Sequence, residues 1–346
     1  MLPWSADLAG RIDEHVLASE QLRGNPLGDP HSRPLWVQLP PGYDDSDERY
    51  PVVYVLQGYS GQLPMWRNRS PWRQPFPELA DAVLADPHVP PGLLVYVDAW
   101  TSVGGSQFLD SPGTGRYHSY LCEDVVGFVD ARYRTLADRD HRAVTGKSSG
   151  GYGAMVTAML RPDVFGALAT HAGDALFEVS YGDVFGEVVR LLRDNYAGDY
   201  QRFLTDFRSR IAMTKASDSD LIEFYGYAAA YSAEPDGTVV MPFDTRTGRL
   251  RPDVWERWLD RDPVRMAERE PYRTALASMH AVWIDAGNAD QFYLDLGATA
   301  FKDAALAAGL PADRLYFELF EATHTAIEYR YPLALEWLLR RLASAS

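Results

Sequence analysis

The sequence predicts an α/β protein with a mostly parallel central sheet covered by helices on both faces. Two observations carry this. Apolar, β-branched runs alternate with helical stretches along most of the 346 residues, as in parallel strands joined by crossover helices. The strand-like runs are continuously apolar, as strands buried on both faces must be. A hydrophobic content of 46% is enough for a substantial core, and no internal repeat or low-complexity tract appears.

The elements follow in order. Arg11 to Val16 and Leu35-Trp-Val-Gln-Leu39 read as an antiparallel edge hairpin across a loop rich in Gly, Asn and Pro, closed by Pro40-Pro-Gly-Tyr-Asp44. Buried strands are predicted at Tyr50–Leu56, Gly92–Asp98, Arg142–Gly146, Ala167–His171, Ala281–Asp285 and Leu315–Phe320. Helices are predicted over Glu78–Ala85, Leu121–Val129 and Ala154–Leu160. The last of these stops at Arg161-Pro162, where proline disfavours continuation. A final helix starts near Tyr331-Pro332, with proline suited to a first turn. Its stripe of Leu335, Leu338, Leu339 and Leu342 should cover the sheet, and the alternative use of that stripe is a homodimer contact.

Residues 173–270 break the alternation. Val184–Leu192 and Asp199–Leu204 look like amphipathic helices, and the chain turns irregular at Glu234-Pro-Asp-Gly237 and Asp244-Thr-Arg-Thr-Gly248. The segment starts at the carboxyl end of the sixth predicted strand, where ligands bind such sheets. It reads as a helical cap inserted into a core made of 1–172 and 271–346. The alternative is connecting helices that never touch substrate.

A net charge of −15 argues against nucleic acid and anionic membrane surfaces as partners. No stretch approaches the roughly 18–20 apolar residues of a membrane span. The first residues lack the basic and apolar regions of a secretory signal, so the expected location is cytoplasmic. The single cysteine, Cys122, excludes an intramolecular disulfide and a Cys-based zinc site. It is expected to be a half-buried structural thiol at a helix start.

The strongest local signal is Gly146-Lys-Ser-Ser-Gly-Gly-Tyr-Gly-Ala154. It holds G-x-S-x-G with Ser148 at the centre, after a short strand and before a helix of small residues. This is the setting of a nucleophile held on a strained strand-to-helix turn, as in the α/β-hydrolase fold. Gly146 and Gly150 remove side chains that would collide across that turn. A phosphate-binding loop is excluded, because His141 stands where its first glycine is needed.

A nucleophilic serine needs a base, and the base an orienting carboxylate, in the chain order Ser, Asp or Glu, His. His171, His280 and His324 follow Ser148. His324, just after the last strand, is the expected base. His171 comes too early for that role and could line the pocket, and His280 belongs at the far end of the sheet. Asp285 and Asp290 compete for the carboxylate. Asp290, beyond Gly287 on the loop, is favoured, with Asp285 bracing the turn. The oxyanion donors are expected to be the amides of Ser149 and of Tyr59, with Gly58 letting that loop turn inward.

Together, Pro40-Pro-Gly-Tyr-Asp44, Tyr50-Pro-Val-Val-Tyr-Val-Leu-Gln-Gly58, the Ser148 motif, Asp285-Ala-Gly-Asn-Ala-Asp-Gln-Phe292 and His324 resemble the Putative esterase family. That family includes esterase D, feruloyl and siderophore esterases, and mycolyltransferases of the antigen 85 type. The resemblance covers about residues 10–340, outside the insertion. It implies a Ser148–Asp290–His324 triad acting on a carboxylic ester or thioester without a cofactor or metal. The expected partner is a small to medium ester, cleaved through an acyl-enzyme. The rival expectations are acyl transfer by the same triad and a non-catalytic binding protein on the same fold. Loops expected to rim the pocket carry Met65 to Arg69, with Trp66 foremost, Trp72-Arg73, Trp100 and Gln107-Phe108. Lys147 and Asp174 are further candidates for substrate contact.

Overall fold

The computed structural model describes residues 4–345. Met1–Pro3, which open the stretch read as lacking a signal, lie outside them. The strands are β1 (Arg11–Ala18), β2 (Ser32–Leu39), β3 (Val52–Leu56), β4 (Leu93–Val97), β5 (Asp110–Ser111), β6 (Gly115–Arg116), β7 (Arg142–Lys147), β8 (Ala167–His171), β9 (Ala281–Gly287) and β10 (Leu315–Phe320). Eight of them form one sheet in the order β1-β2-β4-β3-β7-β8-β9-β10. From β4 to β10 every pairing is parallel, while β1 and β2 form the antiparallel edge hairpin. This is the α/β-hydrolase fold. The pair β5–β6 is a separate two-residue ribbon too short to leave a sequence signal.

The pleat sends successive strand residues to opposite faces, and the β3 run Val-Val-Tyr-Val-Leu fills both. Val52, Tyr54 and Leu56 enter one core. Val53 and Val55 enter the other, beneath the helices Phe76–Leu84 and Tyr331–Ala343. Leu335, Leu338, Leu339 and Leu342 are all buried in this second core. β1 has a half-polar face carrying Arg11, Asp13 and His15, which discourages further pairing at that edge.

Some helices extend beyond the predicted spans. The one ending at Leu160 starts at Ser149, because Gly150, Gly151 and Gly153 are helical and packed against the sheet. The helix predicted from Leu121 is part of a continuous helical run from Tyr117 to Arg132. Cys122 lies on its inward face and is buried, not half-buried as expected, and burial pushes its thiol up to about 12.

The segment 173–270 folds mainly into helices, including Phe185–Tyr196, Tyr200–Ser209, Asp218–Tyr231 and Pro252–Leu259. Its Phe177, Tyr181, Phe224, Tyr231 and Trp258 belong to the same buried cluster as Tyr54 and Val144 of the sheet. The core of the insertion is therefore continuous with that of the sheet.

Leu338 is fully buried and Leu333, on the same helix, is 46% exposed. Leu338→Ala should lower the unfolding free energy by about 2–5 kcal/mol, and Leu333→Ala by no more than about 0.5 kcal/mol. Urea denaturation of both variants measures the difference.

Candidate active site

Ser148 sits between the end of β7 and the helix that starts at Ser149, with φ 57° and ψ −128°. A non-glycine residue adopts such a conformation only when its surroundings enforce it. Here the Ser148 amide donates to the carbonyls of His171 (3.0 Å) and Ala172 (3.1 Å), at the end of β8. The turn is so tight that a Cβ on Gly146 would lie 2.4 Å from the Gly150 carbonyl carbon, and one on Gly150 would lie 2.4 Å from the Leu56 carbonyl oxygen. The two glycines thus do what the motif requires.

His324 follows β10, and Asp290 lies in the loop after β9. The parallel pairing of these strands brings the two loops together. His324 Nδ1 is 2.7 Å from Asp290 Oδ2, and both side chains are buried. The second carboxylate oxygen accepts the Phe292 amide at 2.9 Å. The His324 amide donates to Gln291 Oε1 at 3.1 Å, and the Phe292 ring stands edge-on to the imidazole. With Nδ1 donating to Asp290, Nε2 is left as the acceptor a general base needs.

Ser148 and His324 line one cleft of about 500 Å³, together with Gly58, Tyr59 and Lys147. This is the size of a small-molecule site. Among the described residues Ser148 Oγ makes no hydrogen bond. Such catalytic contacts are often long in unliganded enzymes and tighten around substrate.

The amides of Tyr59 and Ser149 donate to no acceptor among the described residues. The Tyr59 side chain, in contrast, is pinned: its hydroxyl lies 2.6 Å from the Val103 carbonyl and 2.8 Å from that of Ile222. Ser149 Oγ donates to Asp174 Oδ2 at 3.0 Å.

A second His–Asp pair lies nearby. His171 Nδ1 is 2.7 Å from Asp285 Oδ1, and both residues are buried. Asp285 Oδ2 accepts from Trp283 Nε1 (2.9 Å) and Arg330 Nε (3.0 Å), and Arg330 continues to Glu318. Burial would raise the Asp285 carboxyl, but His171, Trp283 and Arg330 hold it below the usual carboxylate range. Among the described residues His171 Nε2 has no hydrogen-bond partner, and it borders a void of about 10 Å³ that Ser148 does not line.

The other candidates divide. Lys147 lines the cleft, and burial lowers its ammonium pKa. Trp66 touches the cleft, but it is buried and packs on Phe76, Tyr96 and Tyr331. Two expected contacts are corrected. Trp100 does not line the cleft; its loop turns away, and its carbonyl accepts buried Arg33 at 2.5 Å. Asp174 is buried behind the nucleophile turn, held by Tyr181, Ser149 and Gln107 rather than facing substrate. Burial raises its carboxyl pKa. Gln107 and Phe108 are likewise buried. The cleft gains residues that sequence reasoning missed, notably Glu223 and Ser219 from the helix Asp218–Tyr231, and Phe292 and Glu328 beside His324. Glu223 left one trace, as a lone carboxylate in the apolar run Leu221-Ile-Glu-Phe-Tyr225.

A serine strained at the strand-to-helix turn, sharing a cleft with a carboxylate-bound histidine, defines a serine hydrolase of the α/β-hydrolase class. The chain belongs to the esterase family whose model, described as Putative esterase, matches residues 30–330. The endo-1,4-beta-xylanase/feruloyl esterase of Xylanibacter ruminicola is 26% identical over 134 residues, covering 38% of this chain and 18% of that protein. Esterase Rv1288 of Mycobacterium tuberculosis is 28% identical over 150 residues, covering 42% of this chain and 30% of that protein. The chain thus spans less than a third of the length of these curated relatives. A ferulic acid esterase structure superposes with a TM-score of 0.62 at 18% identity, covering 97% of this chain and 100% of that one. Among the described residues no helix is long and apolar enough to cross a membrane.

The two aspartates should separate cleanly on mutation. Asp290→Asn should slow active-site labelling by a fluorophosphonate by about 10²–10⁴-fold with little loss of stability. Asp285→Asn should lower the unfolding free energy by about 3 kcal/mol, because it leaves buried Arg330 poorly paired. Labelling kinetics and urea denaturation on both variants check this.

Proposed function

We propose that this protein is a serine carboxylic ester hydrolase working through an acyl-enzyme on a small to medium ester or thioester. The observation that supports it most is the buried Asp290–His324 pair opening onto the cleft that Ser148 lines.

The reaction follows from these groups. Ser148 Oγ attacks the ester carbonyl while His324 Nε2 takes its proton. Asp290 holds the imidazole through Nδ1 and stabilises the imidazolium. The negative charge on the tetrahedral oxygen falls to the free amides of Tyr59 and Ser149. As the intermediate collapses, the carbonyl–oxygen bond breaks, and His324 returns the proton to the leaving alcohol. Water then enters by the same route in reverse and releases the acid. The relatives named as feruloyl esterases make aryl-acyl esters the first class to try.

Wild type should take one fluorophosphonate adduct by intact mass. Ser148→Ala should take none, and His324→Ala should react at least about 10³-fold more slowly. An adduct on Ser148→Ala would refute the assignment. Hydrolysis in the presence of a competing alcohol tells acyl transfer from release to water: a new ester among the products marks transfer.

A further inference from the structure

The helix Asp218–Tyr231 presents one carboxylate, Glu223, to the cleft that holds Ser148 and His324. Glu223 is half-buried, and the Tyr227 hydroxyl donates to its Oε1 at 2.6 Å. Its Oε2 has no hydrogen-bond partner among the described residues. A carboxylate so placed, with one oxygen fixed and the other free, is a built hydrogen-bond acceptor.

Its position is tied to the oxyanion arm. The Tyr59 hydroxyl is 2.8 Å from the carbonyl of Ile222, the residue preceding Glu223. Gly226, one turn further along, lies against both the Val103 carbonyl and Tyr59, for a Cβ there would lie 2.7 Å from that carbonyl oxygen and 3.0 Å from the Tyr59 hydroxyl. The Tyr59 ring also packs on Tyr227, with ring centroids 5.4 Å apart. The same residue whose amide faces the expected oxyanion thus fixes the helix that carries the acceptor. Glu223 is therefore held at a set offset from the reacting carbonyl.

We infer that Glu223 is a specificity-determining residue, accepting a hydrogen bond from a hydroxyl or ammonium group of the substrate and rejecting an anion there. The inference rests on the serine hydrolase reading above. Burial pushes the Glu223 carboxyl up to about 7, against the Tyr227 bond and with Asp174 and Asp220 adding to the rise, so the charged acceptor form dominates above that pH and the rates below are read there. Lys147 and His324 border the same cleft but pair with neither Glu223 oxygen. A site built around a polar acceptor discriminates strongly against ligands that leave it unpaired.

The test uses four matched alkyl fluorophosphonates whose chains end in hydroxyl, ammonium, methyl or carboxylate, so it needs no knowledge of the natural ester. The second-order labelling rate of each is measured on wild type, Glu223→Ala and the isosteric Glu223→Gln. Wild type should label about tenfold faster with the hydroxyl or ammonium probe than with the methyl probe, and slowest with the carboxylate. In Glu223→Ala that order should collapse. A preference that survives in Glu223→Gln identifies a neutral hydroxyl as the group read, and one lost there identifies a cation. No preference in wild type, or the same preference in Glu223→Ala and Glu223→Gln, would overturn the inference while leaving the nucleophile assignment intact. Failure of every probe to label wild type would instead remove the hydrolase reading on which it rests.

Discussion

The left-handed backbone at Ser148 is the constraint on which the rest of the site depends. A serine gains nothing locally at φ 57°, so the surrounding sheet must hold it there. β8 does this from one side, through the carbonyls of His171 and Ala172. β3 does it from the other, with the Leu56 carbonyl pressed against Gly150. Both supports require the parallel register of β3, β7 and β8. In that register Leu56 stands opposite Gly146, and Lys147 opposite His171. A sheet slipped by one residue would lose the turn, and with it the exposed hydroxyl.

The loops then inherit their places from the strands. β9 and β10 run side by side, so the loops that leave them carry Asp290 and His324 to the same rim. The loop after β3 carries Tyr59, whose ring is wedged between the glycines at 104, 105 and 226. That ring joins the sheet to the inserted helices. Those helices share the apolar core of the sheet.

Much of this was legible in the sequence, because it depends on local pattern. Continuous apolar runs marked the strands, and the glycine spacing around Ser148 marked the turn. Chain order pointed to His324, and position relative to Gly287 favoured Asp290 over Asp285. What failed depends on direction. An aromatic residue in a loop carries no sign of which way it faces, so Trp66 proved mostly core and Trp100 lies off the cleft. Asp174 was misread because a polar residue after a strand is usually solvated, whereas three donors sequester this one. Glu223 was missed because the pattern that marked 173–270 as a cap does not say which of its side chains faces Ser148.

The twin histidine–carboxylate pairs show how little that motif says alone. At Asp290 and at Asp285 the nitrogen–oxygen separation is the same 2.7 Å. One imidazole opens onto a cleft beside a hydroxyl. The other is walled in by Tyr331, with its carboxylate shared among a tryptophan and an arginine. The protein has in effect carried out its own control experiment. The same chemical unit is locked into the sheet at one place and opens onto a cleft at the other.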